Sequence, residues 1–163
     1  VFTYQVDGDL AAIGTSEIIH AANRGENLSV IFVNNTTYGM TGGQMAPTTM
    51  LGQKTSTTPY GRDFRSDGYP IRMAELLAGL EGTAYSARVA VSTPAQIRKA
   101  KESVRKAFEM QIGVMGLSIV EFLSTCPTNW GMKPLDAQKR VLGEMSEYFP
   151  LGVFKERKQA DVA

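Results

Sequence analysis

The chain carries one cysteine, one histidine and one tryptophan, no long apolar run and no excess of either charge. A lone Cys126 cannot form an intrachain disulfide, nor can this chain alone hold a cysteine-ligated iron–sulfur cluster. A single cysteine is also compatible with a reducing compartment such as the cytoplasm. The longest candidate apolar run, Leu28 to Val33, is too short to cross a bilayer and suits a buried strand. The formal net charge is +1, which leaves no field to gather nucleic acid or to act on a membrane surface, so neither is expected as a partner. The one basic run, Lys155-Glu156-Arg157-Lys158, reads as a solvated tail. The charged stretch Lys99 to Lys106 reads as the solvated face of a helix. What is present suits a single domain over residues 1–163 with a full core, at 43% hydrophobic and 20% charged residues. Val1 leads straight into an extended apolar stretch. The chain therefore reads as a fragment lacking its N-terminal segment, and a missing signal peptide carries no weight.

Val1 to Val6 alternates as a strand, and Leu10 to Asn23 has helical spacing closed by Gly25 as a left-handed cap. Leu28 to Val33 is a continuous run typical of a strand covered on both faces. Strand, helix and strand in so short a span make a βαβ unit with parallel pairing. Asn34 to Pro70 is a long irregular stretch crowded with Gly, Thr, Pro and Ser, a length usually functional or disordered. Further on, Ile71 to Leu80 reads as helix and Ala84 to Val91 as strand. A helix capped by Thr93, Pro94 and Gln96 runs to about Ile112. Leu117 to Leu123 is a buried strand, Cys126 to Met132 a loop, and Pro134 to Tyr148 a helix. The alternation predicts an α/β fold, a mostly parallel sheet with helices on both faces.

In such sheets ligands sit beyond the carboxyl ends of the strands. Two of these ends stand out: Asp7-Gly8-Asp9, and Asn34-Asn35 followed by Thr36 to Gln44. Asp7 offers a hard carboxylate oxygen, Asn35 an amide oxygen, and the turn after it a backbone carbonyl, the oxygen set magnesium prefers when it shares its shell with phosphates. Gly8 removes a side chain where backbone must approach a phosphate. The helix near Leu10 offers N–H groups and a positive dipole end, and Thr41-Gly42-Gly43-Gln44 adds N–H groups, a hydroxyl and an amide. The fit is to a magnesium-bound diphosphate.

Asn35 lies 28 positions after Asp7. That spacing resembles the thiamine-diphosphate motif, Gly-Asp-Gly, a gap, then Asn-Asn. Asp7 to Gly14 and Tyr38 to Gln44 are similar to the version of that motif in 2-oxoacid:ferredoxin oxidoreductases, and Cys126-Pro127-Thr128-Asn129-Trp130 is similar to a late loop of the branched-chain (2-ketoisovalerate) form. The resemblance implies a thiamine-diphosphate-binding, pyrophosphate-type fold. It implies magnesium held by the side chains of Asp7 and Asn35 and the carbonyl of Thr37. Gly8, Asp9, Leu10, Tyr38, Gly39, Thr41, Gly42, Gly43 and Gln44 would surround the cofactor. It further implies an alpha, pyrimidine-binding partner subunit and a partner carrying the Fe-S clusters. The complete enzyme would oxidatively decarboxylate a 2-oxoacid with coenzyme A and ferredoxin. The family normally has Gly where Val6 stands, and its upstream Cys-Pro-x-Cys-type segment does not occur here. Pyruvate or 2-oxoglutarate as substrate, or an inert fragment, are the alternatives. A Rossmann module is disfavoured because the first loop lacks Gly-x-Gly-x-x-Gly.

Among single residues, His20 sits mid-helix away from the loop ends and is expected to pack or cap, not to act as a base. Cys126 reads as a buried small residue, not a nucleophile. Trp130 reads as an interface or pocket wall. Met40, Met45 and Met50 suit plastic contacts with cofactor or partner, or loop packing. The Asn34 to Pro70 stretch is expected to be partly mobile without a partner.

Overall fold

The computed structural model describes residues 1–158. Five strands line up in the order β1-β2-β4-β3-β5: β1 (Phe2–Val6), β2 (Ser29–Asn34), β3 (Thr83–Ala90), β4 (Leu117–Leu123) and β5 (Gly152–Glu156). The first four are mutually parallel and β5 runs antiparallel along β3. The expected α/β class and mostly parallel sheet are therefore present.

Helices cover both faces, for a reason of direction. The crossovers β1 to β2, through α1 (Thr15–Arg24), and β2 to β3, past α3 (Met73–Ala78), advance across the sheet. The β3 to β4 crossover, through α4 (Pro94–Ile112), steps back. Right-handed connections then place α4 on the opposite face. Accordingly Ile18, Phe32, Leu77 and Ile119 share one core, and Ala87, Ala107, Met110 and Val120 another. A third cluster, with Met50, Leu123, Met145 and Phe149, closes the carboxyl end of β4.

The Thr93 cap is present, its hydroxyl accepting from the Gln96 N–H, with Pro94 in the first turn. Gly25 caps α1 at φ 66°. Other expectations need correction. The single helix over Leu10 to Asn23 is a π turn, Asp9–Ile13, then α1, with Gly14 between them. The Gly14 N–H reaches back five residues to the Asp9 carbonyl, at 2.6 Å. The Cys126 to Met132 loop contains a helical turn, α5 (Pro127–Trp130), and Pro127 preorganises its start. The last helix is α6 (Pro134–Arg140), a π turn at Val141–Met145 and a final turn α7 (Ser146–Tyr148).

The supposed basic tail is also corrected, because β5 runs through it. Lys155 Nζ donates to the Leu80 carbonyl at 2.6 Å, Arg157 Nη1 donates to that of Met115 at 2.7 Å, and Glu156 pairs with Lys106. Outside Lys106, the stretch from Lys99 keeps its charged side chains on the solvated face, as expected.

The Asn34 to Pro70 stretch is not loosely held. The buried Arg62 guanidinium donates to six main-chain carbonyls, those of Ala46, Pro47, Thr49, Asp67, Gly68 and Tyr69. One helical turn, α2 (Phe64–Asp67), lies inside it. A planar five-donor cation can gather carbonyls that no regular element satisfies, and Arg62 so ties together residues 46–69. Among the described residues no helix is long and apolar enough to cross a membrane.

Candidate cofactor site

The register of β1 on β2 pairs Val6 with Val33, so both strands end at one level. Asp7 leaves the first end and Asn35 the second. They meet directly: Asp7 Oδ2 accepts the Asn35 N–H at 2.9 Å, while Oδ1 accepts the Thr48 hydroxyl. Asp7 is fully buried. Burial pushes its carboxyl from 3.8 up to about 7, against the pull of the Thr48 and Asn35 hydrogen bonds and with a further push from the Glu121 charge. Among the described residues no lysine, arginine or histidine forms an ion pair with it.

The turn after β2 is built from side chains reaching their own backbone. Asn35 Oδ1 accepts the Thr37 N–H at 3.2 Å and Asn34 Oδ1 accepts that of Thr36 at 3.1 Å. This holds Thr36 at φ 61°, a left-handed conformation rare for a β-branched residue. Beyond it the Tyr38 N–H donates to the Gln44 carbonyl at 3.0 Å and the Gly43 N–H to that of Tyr38 at 2.8 Å, closing a hairpin. Gly42 and Gly43 lie at φ 113° and 79°. Within the hairpin the Thr41 hydroxyl and the Gln44 amide bond to one another, and the Thr37 hydroxyl donates to the Gln44 carbonyl. From behind, Asn129 Nδ2 donates to the Gly39 carbonyl at 2.8 Å and Trp130 Nε1 to that of Asn35 at 3.1 Å.

A cleft of about 380 Å³ opens at these strand ends. Gly8, Asp9, Asn35, Tyr38, Gly39 and Thr41 line it, together with Val6, Ile13 and Met40. The remaining expected residues are close but not on its wall. Asp7 and Leu10 are buried beneath it, and Thr37, Gly42, Gly43 and Gln44 belong to the hairpin behind its rim. The Tyr38 ring is the reason: it stands where a Cβ on Gly8 would be, 2.6 Å away, and covers the Asp7 loop. Glycine at position 8 is what lets the Tyr38 ring lie there. The helical start near Leu10 is present as the short π turn Asp9–Ile13, with Gly8 in right-handed helical conformation, and Gly14 separates it from α1. Asp9 spends one carboxylate oxygen on the Val6 N–H at 3.2 Å.

The single residues divide similarly. His20 is exposed instead of packing or capping, and lies away from the cleft. Cys126 is half-buried, its sulfur accepting from Asn129 Nδ2 at 3.2 Å. Trp130 is half-buried against the third core cluster, with the Arg140 guanidinium over its ring, so it is not a wall of this cleft. Met50 is core, Met45 half-buried, and Met40, 95% exposed, stands at the cleft mouth.

Sequence reasoning missed Thr48, Thr49, Arg62 and Glu121. Only Glu121 left a signal, an acid inside the apolar run Leu117 to Leu123. It is fully buried, accepting from Asn34 Nδ2 at 2.8 Å and from the Ala74 N–H at 3.1 Å, and pairing with Arg88 at 3.0 Å.

The donor set fits a hard divalent cation. Among the described residues no group of three or more His, Cys, Asp or Glu could hold a metal. A cation here would rest on one carboxylate plus amide and carbonyl oxygens, which is magnesium chemistry more than zinc chemistry. Among the described residues the buried Asp7 carboxyl has no ionic partner and the buried Thr36 hydroxyl has no hydrogen-bond partner.

A parallel sheet whose first two strands end in this acid–amide pair defines a class. Residues 1–120 match the thiamine pyrophosphate enzyme C-terminal TPP-binding domain, and the chain belongs to that family. Over 96% of its length it is 51% identical to the ketoisovalerate oxidoreductase subunit VorA of Methanothermobacter marburgensis. It is 40% identical, over 86%, to the 2-oxoglutarate synthase subunit KorB of Archaeoglobus fulgidus. It spans 33% of the former protein and 48% of the latter. A solved 2-oxoglutarate:ferredoxin oxidoreductase from Magnetococcus marinus has the same fold at TM-score 0.63 and 22% identity, covering 94% of this chain and 55% of that one.

Proposed function

We propose that this chain is the thiamine-diphosphate-binding part of a 2-oxoacid:ferredoxin oxidoreductase acting on 2-ketoisovalerate. The complete enzyme makes acyl-CoA and carbon dioxide from the 2-oxoacid and coenzyme A and reduces ferredoxin. The carrying observation is the fully buried Asp7 carboxylate, bonded to the Asn35 N–H at the ends of two adjacent strands and without a cationic partner among the described residues. Asp7 and Asn35 by side chain, and Thr37 by its carbonyl, would hold Mg2+. Gly8, Asp9, Leu10, Tyr38, Gly39 and the Thr41 to Gln44 hairpin would surround the diphosphate. Bound thiamine diphosphate supplies the electron sink that decarboxylation of a 2-oxoacid needs. This chain's residues orient it: the Asp7–Asn35 pair fixes the two loops against each other, and the fold around them excludes water from the carboxylate.

The substrate assignment rests on the higher identity to VorA than to KorB. With a single cysteine this chain does not by itself ligate an iron–sulfur cluster, and the proposal assigns the clusters to partner subunits. A pyrimidine-binding subunit and a cytoplasmic location complete the proposal. Calorimetric titration of thiamine diphosphate tests the site: binding should require Mg2+, vanish with excess chelator and vanish in Asp7→Ala. Binding that survives either change overturns it. Acyl-CoA formation by the assembled complex from 2-ketoisovalerate, pyruvate and 2-oxoglutarate separates the substrates.

A further inference from the structure

Two consecutive hydroxyls divide between the two loops of the site. Thr48 donates to Asp7 Oδ1, on the loop after β1. Thr49 donates to the Thr36 carbonyl at 2.6 Å, on the loop after β2, where Gln53 Nε2 joins it at 3.0 Å. Both threonines are fully buried. The turn carrying them does not drift: the Ala46 N–H donates to the Thr49 hydroxyl at 2.8 Å, and Arg62 Nη1 grips the carbonyls of Ala46, Pro47 and Thr49. Asp7 and Asn35 touch through one hydrogen bond, but their side-chain oxygens converge on a cation only if both loops hold their orientation. Asp7 can turn about its side-chain torsions, and Thr36 sits at a left-handed φ that relaxes unless it is restrained. Thr48 restrains the first together with the Asn35 N–H, and Thr49 the second together with Gln53 and the Asn34 side chain.

We propose that Thr48 and Thr49 are positioning residues for the divalent cation of this site, stapling the Asp7 loop to the Asn35–Thr37 turn from a third segment. The inference rests on the magnesium reading above. Neither threonine is a ligand; Thr48 acts through the Asp7 carboxylate it holds, Thr49 through the Thr36 peptide that lies between Asn35 and Thr37, and in each the hydroxyl, not the methyl group, does so. The cost of losing either falls on metal affinity, because a misaimed oxygen weakens coordination while the surrounding core stays packed.

The test uses the assembled enzyme containing this chain, titrated with Mg2+ at saturating thiamine diphosphate, with Mn2+ binding followed in parallel by electron paramagnetic resonance. Thr48→Val and Thr49→Val should each raise the half-saturating metal concentration about tenfold, within the range that loss of such outer contacts brings. Turnover at saturating Mg2+ should stay within about twofold of the parent protein. Thr48→Ser and Thr49→Ser, which keep the hydroxyl, should bring the half-saturation back to within about twofold. If a valine form fails to assemble, alanine against serine at the same position decides in the same way. Unchanged metal affinity in the valine forms overturns the positioning role and leaves the magnesium reading standing. Serine forms as weak as the valine forms overturn the hydroxyl's part in favour of packing. If the parent enzyme binds neither Mg2+ nor Mn2+ with thiamine diphosphate, the magnesium reading falls and takes this inference with it.

Discussion

Two carboxylates are buried near the carboxyl-terminal side of this sheet, Asp7 after β1 and Glu121 within β4, and they are opposites in company. Glu121 accepts from Asn34 and the Ala74 N–H and pairs with Arg88, whose guanidinium also meets Glu75 and the Pro150 carbonyl and lies over the rings of Phe149 and Phe154. Burial works against the Arg88 charge, but Glu121 and Glu75 outweigh it and hold its pKa above the ordinary value. Asp7 has two neutral donors and, among the described residues, no cation, and its carboxyl is pushed up to about 7. A buried charge with its counter-charge in the chain is structural. A buried carboxyl without one keeps its proton to higher pH, and in the proposed function its counter-charge is the cation.

Breaking the paired side should have the largest effect. Glu121→Ala leaves Arg88 short of a partner in the core and should cost about 3–5 kcal/mol in denaturant unfolding. It should also slacken the Asn34 amide, and with it the Thr36 turn.

The unpaired side should respond with the opposite sign. The folded carboxyl of Asp7 titrates at about 7 against an ordinary 3.8, so between those values the unfolded chain is ionised while the folded chain keeps its proton. Metal-free stability should therefore fall as pH rises through that window, by at most about 4 kcal/mol, and level off above it. Asp7→Asn should flatten this dependence and be the more stable form at pH 8, read by unfolding at several pH values, while abolishing magnesium-dependent cofactor binding. A loss of stability in Asp7→Asn at pH 8 would erase the contrast between the two carboxylates.

Smaller changes calibrate the scale away from both. Thr93→Ala removes the cap of α4 and should cost about 1 kcal/mol in the same unfolding measurement. Glu144→Gln, at an exposed pair with Arg140, should change stability by no more than about 0.5 kcal/mol, and by less at high salt.

The contrast also shows how far the sequence could be read. Asp7 and Asn35 were legible because their residue types, spacing and places at strand ends all sit in local sequence. Periodicity placed the four parallel strands, and Thr93-Pro94 marked the start of α4. The antiparallel β5 was not legible, because an edge strand with Lys155 and Arg157 resembles a charged tail until the carbonyls of Leu80 and Met115 are seen to receive them. The Asn34 to Pro70 stretch resembled a mobile loop because Arg62, its organiser, binds only backbone atoms, and backbone acceptors have no sequence signature.

By itself, then, the sequence determined the α/β alternation and the two loops that carry acid, amide and glycines, since propensity, periodicity and turn chemistry act over a few residues. Tertiary structure alone decided that Thr48 and Thr49 reach those two loops, that Tyr38 covers Gly8, and that Glu121 finds Arg88 while Asp7 finds no cation among the described residues. Those contacts join segments far apart in the chain, where the partner is chosen by packing geometry and by the need to satisfy buried polar groups.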